Sequence, residues 1–162
     1  MRRVFIILCG LLLLGGCSFG SSDDKIDYAS LPSTVTFSLA ATDDVNPNAT
    51  DGTATPIQVR VFELEDDSML KAADYEQLAN HYKKALKSNY VDDYDYMLTP
   101  GQFKFVDPIQ LDDDTRYIGV MASYSDPDKS QWKKVVKVKP LGHEYHLLIL
   151  LKSNDVVVEK VE

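Results

Sequence analysis

Cysteine is nearly missing from this chain: there are two, Cys9 and Cys17, and both precede residue 18. Nothing after them can form a disulfide, a thiolate metal site or a cysteine nucleophile, so packing alone must hold the rest together. Long apolar runs are also absent. The longest, Val4 to Leu14, is broken at Gly10 and is too short to span a bilayer comfortably. Positive charge is scarce, with 17 Lys and Arg against 25 Asp and Glu and a formal charge of −8. That balance excludes a nucleic-acid grip, which needs basic patches, and an electrostatic hold on anionic lipid. The acidity itself serves solubility.

Catalytic signatures are missing as well. The sequence has no G-x-S-x-G elbow, no phosphate-cradling glycine loop and no H-E-x-x-H. His143 and His146 are three apart where a strand begins, so they point to opposite faces, and no third ligand lies nearby. His81 falls on a helix and reads as surface or packing. The aspartates at 92, 93 and 95 and at 112–114 lack the EF-hand pattern. They read as solvated loop acids, with calcium the alternative. The expectation is a protein that is not an enzyme, with no catalytic residues, no metal and no cofactor other than covalent lipid.

What is present begins at the N-terminus. Arg2 and Arg3 precede the apolar run, and Leu14-Gly15-Gly16-Cys17 follows it. This order resembles a bacterial lipobox, in which the cysteine is acylated and becomes the first mature residue. An ordinary secretory signal that happens to contain a cysteine is the other reading. On the lipobox reading, residues 1–16 are a signal peptide and Cys17 carries lipid such as palmitate. Ser18 at the next position implies the outer membrane, since aspartate there retains a lipoprotein at the inner one. Residues 17–31 are polar and are expected to be a flexible tether, spanning at most about 45–50 Å.

Residues 32–162 are expected to fold as one mainly β domain. Val35, Phe37, Leu39 and Ala41 alternate with small or polar residues, the period of a half-buried strand. Residues 42–55 are rich in Asp, Asn, Pro, Thr and Gly and read as a long loop. Ile57, Val59 and Val61 resume the alternation, with Gln58, Arg60 and Glu63 as its polar members. A helical insertion is expected at about 70–90, from the capping pair Asp74 and Gln77 and the spacing of Tyr75, Leu78, Tyr82 and Leu86. Further strands are expected at 94–98, around Phe103 and Phe105, at 117–124, at 132–138, at 147–151 and at 156–161. Pro108 marks an irregular edge, Thr99-Pro100-Gly101-Gln102 a type II turn, and Lys133, Lys137 and Lys139 a basic outer face. The continuous run Leu147–Leu151 suits a central strand buried on both faces. Many short strands with turns between them suggest a two-sheet sandwich.

Several segments then line up in one order: the lipobox, Val45-Asn46-Pro47-Asn48, Asp51-Gly52, the run 56–64, Ala73-Asp74-Tyr75, Pro100-Gly101-Gln102, the run 117–122 and Trp132. Together they resemble the type VI secretion system lipoprotein, the TssJ family. The resemblance implies a transthyretin-like β-sandwich with a small helical insertion. It implies an outer-membrane lipoprotein facing the periplasm, whose partner is the periplasmic C-terminal region of TssM and, through it, TssL. It also assigns the TssM contact to the loop between the first two strands, here residues 42–55. The matching positions are Asn46, Pro47, Asn48, Asp51 and Gly52, with Val45 as the single large apolar residue and so the expected apolar anchor. The acids Asp43, Asp44 and Asp51 favour a basic counterpart. The alternative is a periplasmic ligand-binding or adhesin-type lipoprotein of unknown partner, which would need a sizeable apolar pocket.

Overall fold

The structure, a computed structural model, describes residues 26–161. The signal sequence, Cys17 and the tether up to residue 25 lie outside the described residues, as does Glu162. Eight strands form two four-stranded sheets: β1 (Thr34–Ala41), β2 (Ile57–Leu64), β3 (Tyr90–Leu98), β4 (Phe103–Gln110), β5 (Tyr117–Ala122), β6 (Lys133–Lys137), β7 (Glu144–Leu151) and β8 (Val156–Val161). The sheet orders are β4-β1-β7-β8 and β3-β2-β5-β6. Neighbours are antiparallel except β1 and β7, which run parallel. The chain between that parallel pair builds the whole second sheet, consistent with the long crossover such pairing requires.

The alternation in β1 and β2 places one face of each strand in the space between the sheets. Val35, Phe37 and Leu39 meet Ile57, Val59, Val61, Ile118, Val120, Leu147 and Ile149 there, all without exposed surface. The turn after β3 carries the chain from one sheet to the other. Gly101 has φ +73° and the Gln102 amide donates to the Thr99 carbonyl at 3.0 Å, as a type II turn requires. β4 is an edge strand, and the register slips between Val35 and Phe37 opposite the segment holding Pro108. A missing amide is tolerated at such a bulged edge.

Two helices, α1 (Ser68–Ala72) and α2 (Tyr75–Leu86), cover the outer face of the β3-β2-β5-β6 sheet. Asp74 and Gln77 form a reciprocal capping box at the start of α2. Leu70, Leu78 and Leu86 pack with Phe62, Leu64 and Met121 as a second core. Lys133 does not stand on a solvated face as its spacing suggested. Its Nζ donates to the carbonyls of Leu70, Lys71 and Ala73 at 3.0, 2.8 and 2.7 Å, satisfying backbone acceptors at the end of α1.

No described helix covers the other sheet, and this corrects the reading of β7. It is central, but within its apolar run only Leu147, Ile149 and Leu151 are buried, while Leu148 and Leu150 lie half-exposed on the uncovered face. Glu63 is a second departure. It is 1% exposed, and its carboxylate accepts from Tyr94 Oη (2.7 Å), the Asp112 amide (3.1 Å) and Thr115 Oγ1 (2.5 Å). This pins the 111–115 loop to β2 and β3, and burial, followed by the hydrogen bond to the Glu63 carboxylate, pushes the Tyr94 hydroxyl well above the usual tyrosine value.

Ordered contacts also begin earlier than residue 32. Asp27 caps a 3-10 turn over Tyr28–Ser30, and the Gly142 amide donates to the Leu31 carbonyl at 2.8 Å. Gly142 has φ +76°, and a side chain there would meet the Ala29 backbone at 3.0 Å. The last part of the expected tether is therefore seated on the 140–143 turn.

The contact between helix and sheet makes a test. A Cβ at Gly119 would lie 2.6 Å from Leu70 Cδ2 and 3.1 Å from Leu64 Cδ1. Gly119→Ala should push α1 off β5 and cost about 1–3 kcal/mol, read as a lower Tm with far-UV circular dichroism unchanged below the transition.

Candidate functional site

The loop joining β1 to β2 divides into a buried base and an exposed tip. Val45 leaves β1's end and turns inward. It has no exposed surface and belongs to the inter-sheet core, so it is not the exposed anchor its loop position suggested. A lone valine in a polar loop gains more from the adjacent core than from water, at about 25 cal/mol per Å².

Asn46 is 4% exposed and sits at φ +49°, a region that asparagine tolerates better than most residues. Its Nδ2 donates to Thr55 Oγ1 at 2.8 Å and to the Pro56 carbonyl at 3.0 Å. Its Oδ1 accepts from the Ser125 amide at 2.7 Å and from Ser125 Oγ at 2.9 Å. Its backbone amide donates to the Ser153 carbonyl at 3.1 Å. Asn46 thus joins three loops, around 42–56, 125 and 153, at one end of the sandwich. Thr55, Ser125 and Ser153 carry no periodic or motif signal in the sequence.

Above this base, Pro47 pairs with Ala54 as an isolated bridge. The tip closes on itself. The Asn48 amide donates to the Thr53 carbonyl at 2.8 Å and the Gly52 amide to the Asn48 carbonyl at 2.9 Å. The Thr50 amide donates to Asn48 Oδ1 at 2.7 Å and the Thr53 amide to Asp51 Oδ1 at 3.0 Å. Gly52 takes φ +73° with open space where a side chain would be. Pro47 and Asn48 are half-buried, and residues 49–53 are exposed.

The expected site residues therefore separate. Val45 and Asn46 hold the loop, Pro47 and Asn48 form its neck, and Asp51 and Gly52 lie at its surface. Cys17 lies outside the described residues.

Charge at this end is mostly negative. Asp43 packs against Gly101. Asp44 accepts from Thr42 Oγ1 at 2.6 Å and from Ser153 Oγ. The Ser153 bond first, then the Thr42 bond, hold the Asp44 carboxyl below the ordinary aspartate value, and the Thr53 amide does the same for Asp51. Asp44 and Asp51 are thus ionised at neutral pH. Elsewhere, Asp95 forms a two-pronged pair with Arg60 at 2.8 Å and Asp93 lies 3.8 Å from the same guanidinium. Among the described residues no group of three or more potential ligands is placed to hold a metal ion.

Residues 33–154 match the family described as T6SS-SciN, the type VI secretion lipoproteins VasD, EvfM and TssJ. Among solved structures, the type VI lipoprotein TssJ1 of Pseudomonas aeruginosa is 30% identical over 81% of this chain and 98% of its own, with a TM-score of 0.75. Serratia marcescens Lip, a membrane-bound component of the type VI secretion system, is 27% identical over 82% and 98%, with a TM-score of 0.70. A chain of the structure described as the TssM C-terminal domain from EAEC is 25% identical over 79% and 98%, with a TM-score of 0.66. No curated protein matches.

Two outcomes follow from the loop's bonding. Asn46→Ala removes four side-chain hydrogen bonds, strands the Ser125 amide and should cost about 2–4 kcal/mol, measured by chemical denaturation. Because Asp44 and Asp51 are held below their ordinary value, their stabilisation is complete above the unfolded pKa and lost only as pH falls through the lower folded one. Amide exchange at residues 48–53, corrected for its intrinsic pH dependence, should therefore be constant from about pH 5 to 8 and rise only in stronger acid.

Proposed function

This chain belongs to the type VI secretion lipoprotein family, TssJ, and from that premise we propose that it binds the periplasmic C-terminal region of TssM through the tip of its β1–β2 loop. It does so from the outer membrane, held on the periplasmic face by lipid on Cys17, and through TssM it joins TssL in the membrane complex of the secretion system. Its part is structural rather than enzymatic.

The observation that carries this reading is the tip itself. Residues 49–53 are exposed yet fixed by hydrogen bonds within the tip, over a base locked to two further loops. Ordering a flexible loop on binding costs about 0.5–1.5 kcal/mol per immobilised side chain. Here much of that cost is already met by folding. The similarity to a chain in a structure described by the TssM C-terminal domain supports that partner. The acids Asp43, Asp44 and Asp51 favour a basic counterpart, which raises the association rate and makes it salt-dependent.

The test is calorimetric titration of the chain from Ser18 onward with the periplasmic C-terminal region of the TssM from the same system. Saturable binding is expected. Ala49→Arg with Thr50→Arg should weaken it at least about tenfold with Tm unchanged, since both side chains are exposed and neither makes the bonds that fix the tip. Binding unaffected by these changes would remove the loop from the interface. No binding by the folded parent would favour a periplasmic binder of another ligand.

A further inference from the structure

Large apolar side chains exposed among the described residues fall into two groups. Met97, Phe103 and Phe105 flank the 99–102 turn near the β1–β2 loop. Ile26, Tyr28, Leu31 and Leu141, at 62, 73, 43 and 43% exposure, gather at the other end of the sandwich, where the chain enters β1. Val161 ends β8 at that same end, since it pairs with His146 near the start of β7.

We infer that the cluster of Ile26, Tyr28, Leu31 and Leu141 is a membrane-contact surface, which seats the sandwich on the phospholipid to which Cys17 is anchored. This rests on the lipid anchor of the proposed function and goes beyond it, because an anchor alone leaves the domain free to tumble.

Three observations argue for lipid as the occupant. The first is where the chain outside the described residues ends. From Cys17 to Ile26 the backbone reaches at most about 30 Å, so a lipid on Cys17 keeps this end of the domain near the bilayer surface. The second is rigidity. The apolar residues are not on a free tail, because Asp27 caps the turn, Leu31 accepts from Gly142 at 2.8 Å, and Pro32 bridges Leu141. A fixed cluster loses little freedom on insertion, and a tyrosine suits a place where one end of the ring is apolar and the other wet.

The third is placement. β1 separates the cluster from the β1–β2 loop by eight residues, roughly 26 Å. Membrane contact therefore leaves the loop directed away from the bilayer. Charge here is mixed: Asp27 and Glu144 lie beside the cluster, Lys139 stands two residues before Leu141, and Lys160 precedes Val161. The apolar side chains therefore carry the contact, and it does not depend on anionic lipid.

The experiment compares amide exchange of the full lipidated chain in phosphatidylcholine vesicles with that of the unlipidated chain from Ser18 onward in buffer. Exchange at residues 28–33 and 141–143 should slow by roughly tenfold in vesicles, while residues 48–53 are unchanged. Tyr28→Ser with Leu141→Ser should abolish the protection with Tm and vesicle retention unaltered. Equal exchange at 28–33 in both states would overturn the inference. Mass spectrometry of Cys17 reports separately on the anchor. If it carries no lipid, the soluble chain with saturating vesicles decides the matter, protection supporting membrane contact and none overturning it.

Discussion

Asn46 is a buried amide with both ends of its side chain paired, and the organisation of one whole end of the sandwich depends on it. A primary amide removed from water must recover its hydrogen bonds or cost several kcal/mol. Here the side-chain partners lie on its own loop and on the loop at Ser125, and its backbone amide reaches a third loop at Ser153, so one residue fixes their relative positions. Val45, buried beside it, adds an apolar attachment that leaves no room for the loop base to lift. What sequence composition describes as a long polar loop is therefore a short, rigid tip on a foundation belonging to the core.

The two sheets are used differently because only one is covered. The β3-β2-β5-β6 sheet is buried on both faces around Phe62, Leu64 and Met121, and the absence of a side chain at Gly119 lets Leu70 approach it. Polar groups caught in this doubly covered region are paired: Glu63 with three donors, Lys133 with three carbonyls. Tyr75 links the helical layer to the loop end, meeting Trp132 edge-on at 5.1 Å and donating from its hydroxyl to the Tyr124 carbonyl at 3.3 Å. Ser125, the next residue, is the one that Asn46 holds. The helices thus buttress the loop base without touching the tip.

The strands and the capping box were legible in sequence because both obey a local period: two residues in β1, β2 and β5, and the Asp74–Gln77 offset at the helix start. The misread residues are those whose environment is set by another part of the chain. Val45 has no periodic neighbours, and only the sandwich end above it decides that it turns inward. Glu63 sits in an alternating strand where both faces are covered, so its polarity was a poor guide to exposure. Leu148 and Leu150 continue an apolar run as they would in a fully buried strand, and only the lack of a covering helix leaves them half-open. Ser125 and Thr55 are ordinary loop residues until Asn46 reaches them. Composition placed the loop between the first two strands, but could not show which of its residues face outward.

The topology has a mechanical consequence under the proposed function. Lipid at one end and a partner at the other would place tension along the axis of β1, which leads from the anchored end to the β1–β2 loop. β1 is not an edge strand. It is hydrogen-bonded to β4 on one side and to β7 on the other, and its pairing with β7 extends over all eight of its residues, from Thr34 with Glu144 to Ala41 with Leu151. Force along a strand held on both sides loads those hydrogen bonds in shear, so they must yield together and not one after another. A lipoprotein whose loaded strand lay at a sheet edge, pulled across its ladder, would open bond by bond. The central position of β1, with its parallel neighbour, suits a chain that must stay folded while joining a membrane to a large assembly.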